Sequence, residues 1–275
     1  MRPITCQVMV GVNGFHYLPP MTAPTLLRQW RNHRRLSQLE LSNKAGVSTR
    51  HLSFVETGRA QPSRELLLHL ARALDVPMRD TNHLLLSAGF APVFGDAPLE
   101  APEQAATLAA VERVLQAHEP WPALVVDRHW NLVRANEASL MFTEDVAPEL
   151  LAPPLNVLRV CLHPDGMAPR IGNLATMAHH VLSNLQRQID ALGDPELVAL
   201  AEELRGYVGD VTAHADPDHG LAVTMELRRG DDVLRFVNLI ATFGSAVDAT
   251  TSELMIETFL PADDATAEAL TPAVS

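Results

Sequence analysis

The sequence predicts two domains of different class: an all-α bundle of five short helices, then an α+β domain built on a five-stranded antiparallel sheet. Three observations carry this reading. From Thr25 to Ala88, apolar residues recur at helical spacing, with capping residues between the runs. After residue 120 the pattern turns to period two, becomes helical again in the middle and ends in alternating runs. The charge divides near the same boundary. Residues 22–90 hold ten Lys and Arg against five acids, a balance of +5, whereas residues 91–275 come to -18, so the whole-chain value of -12 conceals both. With 275 residues, nearly half of them apolar, the chain can build two cores.

The helices follow from local chemistry. In "TLLRQWRNHRR", Leu26, Leu27, Trp30 and Arg34 share one face. "SQLELSNKAG" opens on Ser37 as N-cap with Glu40 three residues on, a capping box, and closes at Gly46, placed for a left-handed C-cap. Ser48 caps "TRHLSFVET", which Gly58 ends. Ser63 opens a fourth helix that buries Leu66, Leu67, Leu70, Ala71 and Leu74 and stops before Pro77; "MRDTNHLLLSAG" is the fifth. Connections of a few residues make this a compact bundle over residues 22–90. Residues 91–104, rich in proline, read as a semi-rigid linker. Residues 1–21 read as a flexible leader, since Gly11, Asn13 and Gly14 interrupt the apolar stretch a signal peptide needs. No run of about 20 apolar residues is present to enter a membrane. Two distant cysteines fit a reducing compartment, so the expected location is cytoplasmic.

The second domain spans residues 105–270. A helix over Ala105 to His118 precedes "PALVVDRHWNLVRANEASLMF", which reads as strand, the turn "DRHWN", strand, and a helix beginning near Asn136. Residues 156–206 are helical, the longest run being Asn173 to Leu192 with Leu174, Met177, Val181, Leu185 and Ile189 on one face. Three strands follow, in "LAVTMELR" from Leu221, "VLRFVNLIATF" and "SELMIETFLP", before an acidic end and a tail at 271–275.

The stretch "GVSTRHLSFVETGRAQPS" has the requirements of a helix-turn-helix. Ala45 is small, Gly46 permits the turn, Val47 wedges the corner, and Leu41, Leu52 and Val55 are available to the interior. Its second helix presents Thr49, Arg50, Ser53 and Phe54 at the N-terminal end, after Ser48. An arginine there reaches guanine O6 and N7, while hydroxyl or aromatic groups meet neighbouring bases. Gln38, at the preceding helix N-terminus, is placed for a phosphate oxygen, and Arg59 for another. Glu56 reads as a bond within the bundle. The expected partner is double-stranded DNA.

Gln38, Ser42, Gly46, Val47, Ser48, Leu52, Glu56 and Gly58 stand at the offsets of the XRE family, so the segment resembles those phage-repressor-like (lambda-repressor-like) helix-turn-helix domains. Ser42 stands where alanine is usual. The resemblance implies sequence-specific duplex binding, as a homodimer on a palindromic operator. The segments "PWPALVVDRHWNLVRANEAS", "LHPDGMAPRIGN" and "TFGSAVDATTSELMIETFLPADDATAEAL" are similar to the C-terminal domain of MmyB-like transcription regulators. That likeness implies a PAS-like fold with a cavity for a small apolar ligand such as a fatty acid, hence a sensor without catalysis.

Trp121, Trp130, Phe142, Met177, Val181, Met225, Phe236 and Ile240 are candidates for the cavity wall and equally for packed core. Arg134 and Arg170 are the cations expected to meet a carboxylate head group. His179, His180, His214 and His219 lack partners at ligand spacing, so no metal and no other cofactor is expected. "FGSAVD" lacks the second glycine of a nucleophile elbow, and Glu202 and Glu203 diverge on a helix, so no enzyme is expected. A rival reading keeps the DNA-binding head but makes the second domain a ligand-free dimerisation or protein-interaction module in a constitutive repressor.

Overall fold

A computed structural model of the chain describes residues 21–209 and 223–271. The leader up to residue 20, His214, His219, the first two residues of the "LAVTMELR" segment and the tail from 272 lie outside the described residues. By internal contacts the described chain forms two compact units, residues 21–76 with 83–91, and residues 77–82 with 92–271.

The N-terminal region holds five helices: α1 (Ala23–His33), α2 (Gln38–Ala45), α3 (Thr49–Glu56), α4 (Arg64–Ala73) and α5 (Met78–Ser87). The capping chemistry is realised atom by atom. Ser37 and Glu40 form a reciprocal capping box, Ser48 Oγ accepts the His51 N–H, and Ser63 Oγ accepts the Leu66 N–H. Leu27, Leu41, Leu52, Val55, Leu67, Leu70 and Leu74 interlock as a dry interior, each at most 1% exposed.

The second unit is an α+β domain with an antiparallel sheet of β1 (Ala123–Val126), β2 (Leu132–Ala135), β3 (Thr224–Arg229), β4 (Asp232–Thr242) and β5 (Met255–Pro261) in the order β2-β1-β5-β4-β3. One face meets α7 (Val157–Leu162), α8 (Leu174–Leu192) and α9 (Pro195–Val208) through a large apolar cluster. On the other, α6 (Ala105–Ala117) packs Val111 and Leu115 against Ala123, Val125 and Ile256.

The helix expected near Asn136 is a 3-10 helix over residues 137–143, capped by Asn136. Asn136 Oδ1 also accepts the Ala123 N–H at 2.9 Å and the Ser139 hydroxyl at 2.8 Å, and this buried network takes precedence over α-helical register. The acidic end contains α11 (Asp264–Leu270), capped by Asp263 and packed on β4, with α10 (Ala249–Ser252) before β5. Residues 92–104, read as a linker, are bonded into the second unit: Gly95 O accepts the Ala249 N–H, Ala97 O accepts the Thr250 hydroxyl, and Gln104 donates to Asp248.

Candidate functional site

In the N-terminal unit, the corner between α2 and α3 depends on Gly46, whose φ of +62° suits a residue without Cβ. The Gly46 and Val47 N–H groups return to Asn43 O and Ser42 O, satisfying carbonyls the helix end would otherwise orphan. From α4, His69 Nε2 lies 2.6 Å from Ala45 O and pins the same end. Behind α3, Glu56 takes a bidentate pair from Arg31 at 2.7 and 3.0 Å, and Arg31 also reaches Leu36 O at 2.7 Å. The Glu56 side chain is 1% exposed, and three donors converge on its oxygens, the third from Gln38 at 2.8 Å.

The outer face of α3 is left to solvent. Arg50 is exposed, and its guanidinium carbon sits 5.3 Å from the centroid of the Phe54 ring one turn on. Ser53 is half-buried beside it. Gly58, at φ +71°, turns the chain so that the Arg59 N–H returns to Phe54 O, leaving the Arg59 side chain exposed. Arg50 and Arg59 have no acidic partner among the described residues. They therefore present uncompensated positive charge.

In the second unit, a cavity of about 170 Å³ lies between the sheet and the helices. Its wall includes Leu124 and Leu132 from β1 and β2, Phe142 from the 3-10 segment, Val160 and Cys161 from α7, Met177 and Val181 from α8, and Met225, Ile240 and Phe259 from the later strands. Phe142, Phe236 and Phe259 meet edge-on, with centroids 4.8 to 6.4 Å apart, and stiffen one side. Trp130 enters from the turn between β1 and β2 at φ +67°, a left-handed conformation costly for a bulky residue. The turn enforces it: Asp127 Oδ1 accepts the His129 and Asn131 N–H groups, and Trp130 Nε1 donates to Gln188 of α8 at 2.8 Å. Leu140 and Ile240, 62% and 43% exposed, mark the mouth.

The lining is mostly apolar; Asn136, Ser139, Thr143 and Asn184 also reach it but are hydrogen-bonded to neighbouring groups, and Asn238 of β4 meets Glu257 of β5 in the wall. Asn238 Nδ2 donates to Glu257 Oε1. Glu257 retains partial accessibility as part of the cavity wall. Burial pushes its pKa up to about 7, against the pull of the Asn238 bond. Cys161 is pushed up to about 12 by burial and then by the Glu257 charge, so it remains a thiol at neutral pH.

Residues 108–272 match the family described as the MmyB-like transcription regulator ligand binding domain, and residues 27–80 match the helix-turn-helix family. The first match covers more than half of the chain. This chain belongs to the MmyB-like transcription regulators. It is a DNA-binding transcription regulator with a ligand-binding domain, and neither matched family is one of enzymes. A comparison with curated proteins finds no match. Among the described residues, no three His, Cys, Asp or Glu could hold a metal ion, and no helix is long and apolar enough to cross a membrane.

In this MmyB-like regulator, the expected DNA-facing residues divide. Arg50, Ser53, Phe54 and Arg59 reach the accessible surface of the recognition segment, and Ser48 is exposed with its hydroxyl engaged as the cap. Two expectations are corrected. The Thr49 hydroxyl lies 2.8 Å from Ser42 Oγ, which itself donates to Leu39 O at 2.9 Å, so Thr49 is engaged across the corner. Gln38 is bonded to Glu56 instead of standing free for phosphate, because the buried carboxylate requires its amide.

The expected ligand residues divide too. Trp130, Phe142, Met177, Val181, Met225 and Ile240 line the cavity. Phe236 is buried behind the wall, and Trp121 sits in a shallow groove beside α11. Both expected head-group cations are corrected. Arg134 donates to Val133 O and pairs with Glu100 outside the cavity, while Arg170 holds Met141 O and Phe142 O and so braces the 3-10 segment. Glu257 and Asn238 went unread, although alternation aligns Glu257 with Met255 and Phe259, and Asn238 with Phe236 and Ile240.

Proposed function

We propose that this regulator binds its operator through α3, with Arg50 reading a base in the major groove, and that a small apolar ligand in the second unit's cavity changes its affinity for DNA. The observation that carries the reading is an apolar cavity in the same chain as a recognition helix that exposes an unpaired Arg50, with Arg59 just beyond its end. About 170 Å³ is close to the roughly 150 Å³ that admits a benzene-sized guest. A compact ligand fits within it, and a fatty acid would have to run its chain out past Leu140 and Ile240. The protein acts as a homodimer on a palindromic operator in the cytoplasm, by the symmetry usual for such heads. The strongly acidic second half is repelled by phosphate, which leaves DNA contact to the basic N-terminal unit.

A ligand shifts DNA affinity only if it binds the DNA-competent state and its alternative unequally. The test is a titration of full-length protein on its own upstream DNA, across a salt series, with and without saturating toluene as an apolar probe of the cavity. The expected result is a steep loss with salt and a probe-dependent change of about 5- to 150-fold. Identical affinity with the cavity filled would remove the switching function.

A further inference from the structure

We propose that the Asn238–Glu257 pair is the head-group subsite of this cavity, and that the ligand is a compact apolar molecule ending in a hydrogen-bond donor, a hydroxyl or an amine, and not a carboxylate. This rests on the ligand-binding reading above and specifies the chemistry of that site.

The cavity is mostly apolar, and its other polar side chains are already engaged: Asn136 and Ser139 bond one another and Ala123, Thr143 donates to Leu140 O, and Asn184 bonds His180 and Arg187, so the Asn238–Glu257 pair is the polar feature left to orient a ligand. Asn238 uses its amide N–H on Glu257 Oε1, while Glu257 Oε2 takes no hydrogen bond from the described residues. With Glu257 ionised, the pair offers a ligand Glu257 Oε2 and Asn238 Oδ1, which accept, against the one amide N–H of Asn238 that Glu257 does not take. No Lys, Arg or His lines the cavity among the described residues. The other titratable group in the wall is the Cys161 thiol of α7, and from α8 Asn184 faces inward with His180 bonded behind it. Arg134 and Arg170, which could have met an anion, are committed elsewhere. A carboxylate would lose its hydration without gaining a cation and would sit beside a second acid, an arrangement in which only one of the two ionises readily. A hydroxyl or ammonium gains the vacant acceptor.

The test uses full-length protein at pH 8.5 and four probes of matched size: toluene, benzyl alcohol, benzylamine and benzoate, with binding followed by calorimetry. Toluene reports whether the cavity binds at all. Benzyl alcohol and benzylamine should bind about tenfold or more tighter than benzoate, the worth of one hydrogen bond to a charged acceptor. Glu257→Leu should lower alcohol and amine affinity relative to toluene by a similar factor. Glu257→Gln, which keeps the size and supplies a donor, should raise benzoate affinity; circular dichroism confirms that both variants are folded. If toluene binds but benzoate matches the alcohol, or Glu257→Leu leaves the alcohol-to-toluene ratio unchanged, the head-group assignment is overturned and the cavity reading stands. If none of the four binds, both are overturned.

Discussion

Glu257→Gln should make the second unit more stable, and by an amount that depends on pH in a specified way. The carboxyl has an ordinary value of 4.5 in the unfolded chain and about 7 in the fold. Between these values the folded state holds a proton that the unfolded state has released, so wild-type stability falls as pH rises through this window. Glu257's favourable contribution is therefore complete below pH 4.5 and lost above about 7. The gap corresponds to about 3 kcal/mol at full ionisation, an upper limit because water entering the cavity solvates the charge. Glutamine keeps the shape and an oxygen for Asn238, yet has no proton to lose. Urea unfolding of both proteins from pH 4.5 to 8.5 measures the difference directly, since every other titrating group is common to the two and cancels. The stability difference should grow with pH and level off above 7. A difference that stays constant across the range would refute the claim that this carboxyl is held out of water.

Two further substitutions probe the DNA-binding unit. Arg50→Ala should weaken operator binding by about 1 to 3 kcal/mol and relax preference at one base, as electrophoretic mobility shifts on a mutated operator series would reveal. Glu56→Ala strands the buried Arg31 guanidinium and should cost about 3 to 5 kcal/mol of stability in thermal unfolding. A loss under about 1 kcal/mol would mean the pair is not enclosed.

The helices of the first unit were legible because their ends are written in side chains that act locally. Ser37, Glu40, Gly46 and Ser48 each satisfy or turn a backbone within four residues of themselves. The helix Asp264–Leu270 was not legible, since seven residues scarcely display a period and its acids resemble a solvated end. Direction was the harder quantity. The helical period puts Thr49 near the surface, but only the fold reveals that Ser42 waits across the corner to capture its hydroxyl. Arg134 and Arg170 have the right charge for a head group, and their destination was decided by nearby carbonyls and carboxylates that adjacency in sequence does not expose. Glu257 and Asn238 were within reach of a stricter period-two reading, since each lies in register with apolar residues two positions either side. A polar residue in the inward register of a strand is the mark of a site.

The cavity and the acid in its wall are two costs located in one place. A void forfeits packing in proportion to its volume, and a carboxyl drawn out of water raises the free energy of its charged form. Replacing Glu257 with an apolar residue of similar size would relieve the second cost and leave the first. A ligand with an apolar body and a donor head offsets both at once, so its binding free energy contains contributions that no residue of the free domain can supply. This makes occupancy visible as stability: the second unit should gain RT ln(1 + [L]/Kd) on binding, about 2.7 kcal/mol at a hundredfold excess over Kd. The same argument limits what occupancy can transmit. The free energy available to alter DNA affinity is the difference in ligand affinity between two states of the regulator, and it cannot exceed that difference however tightly the ligand binds. The mouth, where Leu140 and Ile240 are exposed, is where such a difference can arise, because apolar side chains there gain burial against a ligand that reaches the opening.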